Sequence, residues 1–256
     1  MALVGACATA PVGGPSPAPK AAGADSAESW NRPQYASTYA RRTEPPVLIR
    51  NATIMTAAGQ EFQGSLLLAD GAIAAIGREV AAPAGARVID GTGRYVTPGL
   101  IDTHSHIGVY SAPGTFAESD GNEATTPVTA EVWAEHSIWP QDPQIPLAIA
   151  GGVTVLQALP GSANLIGGRS ATLRLVPART VQEMKYPGAP YGMKMACGEN
   201  PKRVYGSSGP STRMGNMAGY RNAFIAAAQY RRKWDEWKAT GKGDVPERNL
   251  RNETLA

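Results

Sequence analysis

The sequence predicts an α/β fold in which a small β-sandwich portion precedes roughly the first four strands of a (β/α)8 TIM-like barrel. Three observations carry this. Residues 45–98 hold short β-prone runs separated by Gly, Asn-Ala or Asp-Gly signals, with no helical period. After Pro98 the rhythm changes to apolar strands bounded by Gly and Pro and joined through helix-capable or loop segments, as in a parallel sheet with helices outside. A long amphipathic helix follows the fourth of these strands.

Three domains are expected. Residues 1–44 read as an export remnant and flexible linker. The start "MALVGAC" looks like the tail of a bacterial lipoprotein signal ending at Cys7, although only six residues precede the cysteine and none is basic. Residues 8–29 are almost entirely Ala, Pro, Gly and Ser, too poor in large apolar groups to offset the entropy of ordering them. The expected location is therefore exported: periplasmic, or tethered to a membrane through Cys7. A chance match at an Ala-rich terminus is the alternative.

Residues 45–98 form the N-terminal part of a composite β-sandwich. "VLIRNATIMTAAG", "GSLLLADGAIAAIG" and "ARVIDGTGRYVTPG" supply its strands, and Asp70-Gly71 is a hairpin turn candidate because both residues tolerate positive φ. So few strands do not close a core alone.

Residues 99–256 form the half-barrel, with strands at "GLIDTHSHI", "GGVTVLQALP" (151–160), "ATLRLVP" (171–177) and "YGMKMAC" (191–197). In the helix after them, Ser211 or Thr212 is the cap, and Tyr220, Phe224, Ala227, Trp234 and Trp237 make a packing stripe.

The composition excludes several classes of function. A net charge of +3 arises from scattered Lys and Arg, and the densest basic patch, Arg231, Arg232 and Lys233, is followed by Asp235 and Glu236. That is a solvated helix face, and no nucleic-acid partner is expected. No uninterrupted apolar run reaches membrane-spanning length. The two cysteines lie far apart in unlike surroundings, so no disulfide framework is expected, and Cys197 reads as a small core residue.

The chemistry-bearing feature is a pair of imidazoles. The chain has three histidines, and two of them, His104 and His106, lie two positions apart at the end of an apolar strand. Alternate side chains of a strand share a face, so Asp102, His104 and His106 point the same way, into the mouth if the strand belongs to a barrel. Two such rings can converge on one metal ion. An ordinary hydrogen-bonded pair is the alternative.

The run "VIDGTGRYVTPGLIDTHSHIG" resembles the signature of the metal-dependent amidohydrolase superfamily. "LPGSANLIGGRSATLRL" and "GMKMACGENPKRVYG" resemble its imidazolonepropionase-like branch, and the likeness covers about Pro45 to Ala239. The resemblance implies that His104 and His106 are metal ligands. It also implies that Lys194, if carboxylated by carbon dioxide, bridges two metals, since a carbamate is anionic and bidentate where an ammonium would repel them. An unmodified Lys194 paired with a carboxylate is the alternative, and Glu199 is a rival ligand. Asp102 would orient the strand turn or a His ring.

"PGSANLIGG", with Ser162, Asn164, Gly167 and Gly168, reads as a substrate loop or a tight structural loop. Glu123 is expected on the rim, and His136 at the surface or in packing. The implied cofactor is zinc or another divalent metal, one or two ions in the complete enzyme, and the implied substrate is a small-molecule amide.

A complete barrel takes about 250 residues, more than follow Pro98. The later histidines and the proton-shuttling Asp of the family are expected beyond residue 256, so no catalytic residue is assigned within the chain. The function implied is amidohydrolase chemistry by the N-terminal part of a longer enzyme, with the chain inactive alone. The alternative is a non-catalytic half-barrel that binds a complementing chain or a second copy through its open edge, or a tethered binding module.

Overall fold

The computed structural model describes residues 36–256; Cys7 and the 8–29 segment lie outside the described residues. The fold is mixed α/β. Its first sheet has the order β3-β2-β1-β4, with β1 Val47–Met55, β2 Glu61–Ala69, β3 Ala72–Gly77 and β4 Arg87–Asp90. A short β5, Tyr95–Val96, also pairs with β1. Asp70 (φ 52°) and Gly71 (φ 68°) close the β2–β3 hairpin, as the Asp-Gly signal predicts.

The β1–β2 register slips between Ile49 and Ala52, where Asn51 adopts φ 60° and donates from Nδ2 to Asp90 Oδ1 at 3.1 Å. Asn tolerates that left-handed conformation better than most residues, so the bulge falls on it. Leu48, Ala52, Ile54 and Leu66 are buried, while Ile73, Ile76, Val88 and Tyr95 stay exposed. The sheet therefore leaves part of its apolar surface uncovered, in keeping with too few strands to close a core.

The second sheet positions the site. β6, Leu100–Ser105, runs parallel to β7, Val153–Ala158, with Asp102 opposite Leu156 and Ser105 opposite Ala158. A helix α1, Gln144–Ala150, precedes β7.

The next two strands correct the expected all-parallel order. β8, Ile166–Arg169, lies where a loop was expected, and after Ser170 the chain continues as β9, Ala171–Arg174. β9 is antiparallel to β7, and β8 is antiparallel to β10, Met193–Met195. The reason is the connection. A parallel return needs a crossover of about a dozen residues or more, usually a helix, and the 159–170 segment that joins β7 to β9 contains β8 and no helix. A short helix α2, Val181–Met184, separates β9 from β10.

Val109, Ile138, Ile145, Leu156, Leu173 and Met184 form the main buried cluster around β7 and β9. A second cluster of Ala130, Leu165, Ile166 and Tyr220 fixes β8 against the long helix. After α3, Glu199–Tyr205, that helix, α4, spans Arg213–Thr240, and α5 spans Leu250–Leu255. Thr212 is the cap, its hydroxyl accepting from Gly215 N at 3.0 Å, and Gly241 (φ 61°) ends the helix.

The inward stripe of α4 is Asn216, Tyr220, Ala227 and Trp234, with Ala223 and Tyr230 partly buried. Phe224 is instead 45% exposed. It sits one residue beyond Ala223, and one residue is about 100° around a helix of 3.6 residues per turn. Cys197 is likewise exposed rather than in the core, because it lies in the turn between β10 and α3.

Candidate metal centre

The end of β6 is fixed from two sides. Asp102 Oδ1 accepts the backbone N–H of His104 at 3.0 Å, so the carboxylate braces the strand end rather than an imidazole. The pairing with β7 carries on one step, Leu159 N donating to Ser105 O at 2.9 Å, which brings the Leu159 carbonyl to His106. His106 Nδ1 lies 2.9 Å from Leu159 O. A carbonyl only accepts, so Nδ1 carries the proton and the Nε2 lone pair is left to bind elsewhere. The His104 and His106 rings stand 5.3 Å apart, centroid to centroid, at 82°.

Lys194 reaches this pair from β10. Its side chain is buried, at 4% residue exposure, and Nζ lies 3.0 Å from His104 Nε2. Gly168 is its register partner, and the lysine stem runs alongside β8 at van der Waals distance from Gly167. Burial pushes the Lys194 amine below its usual range. The charge of Lys194, then burial and the charge of His106, hold His104 below the ordinary imidazole range, while Asp102 pulls the other way.

The Lys194 amine thus faces His104 Nε2, the nitrogen a metal ion would bind. Among the described residues no three His, Cys, Asp or Glu side chains come close enough to hold a metal ion. Among the described residues no carboxylate pairs with Lys194. Glu199 is exposed at the start of α3. The donor set on hand is two imidazoles and one amine.

The residues read as a substrate loop divide. Gly167 and Gly168 belong to β8, and a Cβ on Gly168 (φ 111°) would lie 2.5 Å from the Val132 carbonyl oxygen. Asn164 is 1% exposed, and its amide donates to Glu123 O, Thr126 O and Thr129 Oγ1 at 2.7 to 3.0 Å. It clamps the turn into β8, which favours the tight-structural-loop reading. Ser162 is half-buried in the same turn. His136 lies on the surface, 51% exposed and stacked on Trp133 at 6.2 Å.

A cavity of about 260 Å³ opens beside Pro160 and Gly167, with Asp120, Asn122, Glu123 and Trp133 on its walls. A larger one, about 890 Å³, includes Thr154 and lies at the other end of β7.

Two contributors were not found in the sequence. Asp142 is fully buried, and its carboxylate accepts from Gly108 N, Ala112 N and Gln144 N, tying down the turn that leaves His106. The Asp142-Pro143 pair ahead of a helix is a start signal that could have marked it. Tyr110 stacks edge-on with His106 at 5.5 Å, and no spacing rule marks it.

No family model matches the chain. It is 37% identical over 221 residues to an amidohydrolase, tasK, of Hapsidospora irregularis, a match covering 75% of this chain and 22% of that protein. It is 45% identical over 78 residues to a D-hydantoinase of Geobacillus stearothermophilus, covering 30% of this chain and 16% of the relative. The crystal structure of an amidohydrolase from Thermotoga maritima superposes with a TM-score of 0.74 at 39% identity, covering 82% of this chain and 54% of that one. The chain thus spans about half the length of the matched structure and about a fifth of the tasK relative.

Proposed function

We propose, from the premise that this chain belongs to the metal-dependent amidohydrolase superfamily, that it carries part of the active site of an enzyme hydrolysing the carbon–nitrogen bond of a small or cyclic amide. The observation that carries this reading is the meeting of His104, His106 and Lys194 from two separate strands, with Lys194 Nζ at 3.0 Å from one ring and the two rings 5.3 Å apart.

His104 and His106 would hold a divalent cation, zinc or a similar ion. Such an ion supplies Lewis acidity to an amide carbonyl and makes water a nucleophile at neutral pH. The chain's own residues prepare the place for it. Leu159 O fixes the His106 tautomer, Asp102 fixes the backbone that carries His104, and burial favours a neutral Lys194. A neutral amine can add to carbon dioxide: its lone pair forms the N–C bond, one proton leaves to solvent, and an anionic carbamate with two oxygen donors results. With carbon-13 bicarbonate, a carbamate carbon signal is expected in the NMR spectrum and should vanish in Lys194→Ala. A spectrum identical to that of the variant would contradict the modification.

We read β6 to β10 as the opening portion of a barrel. β6 has β7 as its neighbour on one side, and Leu100 and Ile101 are 58% and 68% exposed. That edge supports pairing with further polypeptide, from a longer product, a complementing chain or a second copy. The resemblance of residues 159–175 and 192–206 supports the imidazolonepropionase-like branch, and "MALVGAC" supports export with lipid on Cys7.

The test is hydrolysis. The chain alone, with two imidazoles and an amine, is expected to turn over N-acyl and cyclic amides negligibly. A polypeptide that adds the remaining strands should hydrolyse them, and should lose that activity on chelation and in His104→Ala. Turnover surviving both treatments would overturn the proposal.

A further inference from the structure

We propose that Tyr110 is a positioning residue for His106, and that its ring rather than its hydroxyl fixes which imidazole nitrogen is held against Leu159 O and which is left for a cation. The inference rests on the reading of His106 as a metal ligand. Directly after β6 the chain turns back on itself, with Val109 N and Tyr110 N donating to His106 O at 3.1 and 3.0 Å. This folds Tyr110 over the histidine it follows by four residues. The two rings meet at 5.5 Å between centroids and 81° between planes, a favourable edge-to-face contact.

The tyrosine is itself held. Gln144 Nε2 donates to its carbonyl at 2.9 Å, its backbone bridges to Ser119, and the Asn122 side-chain amide engages its hydroxyl. Two glycines make room for it. A Cβ on Gly121 would lie 2.1 Å from the Tyr110 ring, and one on Gly161 would lie 2.2 Å from the hydroxyl. The phenol therefore forms a wall with little freedom to move.

That wall matters because of what an imidazole can do. A half-turn about its Cβ–Cγ bond would break the bond to Leu159 O and change the nitrogen presented to a cation. Edge contacts from His104 on one side, at 5.3 Å, and Tyr110 on another, at 5.5 Å, oppose that turn. The hydroxyl is engaged by Asn122, so the contact with His106 is made by the ring. Asp142 and Gln144 anchor the turn from the far side, which explains why a loop residue can serve as a rigid support.

The experiment uses the full chain with Tyr110→Phe, Tyr110→Leu and Tyr110→Met. The His106 tautomer is read from side-chain nitrogen-15 shifts of the metal-free protein at alkaline pH, and Zn2+ affinity is read by competition with a chromophoric chelator. Tyr110→Phe should keep the wild-type tautomer and Kd. Tyr110→Leu should show mixed tautomers and bind Zn2+ about tenfold more weakly, as altered support of a ligand does.

Tyr110→Met, nearer in volume, gives the same reading should the leucine variant not fold. A folded leucine or methionine variant that keeps the single wild-type tautomer would overturn the proposal. If wild-type protein binds no Zn2+, the metal reading fails while the tautomer still decides the role of Tyr110.

Discussion

Replacing both imidazoles, as His104→Ala with His106→Ala, is expected to weaken Zn2+ binding by the chain more than about 100-fold, beyond the 10- to 100-fold that loss of a ligand's support costs. The wild-type chain should bind one Zn2+ weakly, since among the described residues it offers two imidazoles and a single amine. A metal-ligating imidazole must be neutral. Lys194 and burial hold His104 below the ordinary imidazole range, so its lone pair stays available at neutral pH. As the pH falls through the range in which His104 protonates, Zn2+ should be released. The double variant should also lose some stability, because it leaves the buried Lys194 amine without its His104 partner and the Leu159 carbonyl without the His106 Nδ1–H. Chelator competition reads the first effect and chemical denaturation the second. A double variant with unchanged affinity would place the ion elsewhere.

Lys185→Met should have the largest effect on stability, a loss of about 3–5 kcal/mol, the cost of stranding a buried charge. Glu135 has a fully buried side chain, with Oε2 at 2.6 Å from Lys185 Nζ and accepting from Tyr191 OH at 2.8 Å. Burial and Glu135 both push the Tyr191 phenol up, so it keeps its proton and donates. Tyr191 packs edge-on against Trp133 at 4.8 Å, and the Arg169 guanidinium lies over the same indole at 4.4 Å.

This cluster joins the turn at residues 134–136, the end of α2 and the segment that enters β10. Lys194 stands on β10, so the cluster also bears on the site. Replacing both partners, Glu135→Leu with Lys185→Met, should cost less than Lys185→Met alone, because no lone charge is left behind. Urea unfolding measures both variants; equal midpoints for Lys185→Met and wild type would show that the pair contributes nothing.

What could be read in the sequence was what local chemistry dictates. Asp70-Gly71 makes a hairpin wherever two β-prone runs flank it, Thr212 caps a helix whatever lies beneath, and a His-x-His pair on a strand shares a face by geometry. Strand direction was not local. β9 runs antiparallel to β7 because the segment that joins them carries no crossover helix, and β8 was hidden in Ile166-Gly167-Gly168-Arg169, whose glycines read as a loop.

Gly168 is needed because the Val132 backbone comes too close for a Cβ, a reason that exists only once those two segments lie side by side. Tyr110, Asp142 and Glu135 escaped notice for the same cause. Each acts through a partner between 4 and 56 positions away, and only Asp142, ahead of Pro143 at a helix start, carries a local signal.

The central claim is that His104 and His106 share one cation. X-ray absorption at the zinc edge of the Zn2+-loaded chain tests it most directly. The account predicts two imidazole nitrogens at about 2.0–2.1 Å, both lost in the double alanine variant. A spectrum without imidazole scattering, or one that the double variant leaves unchanged, would contradict it.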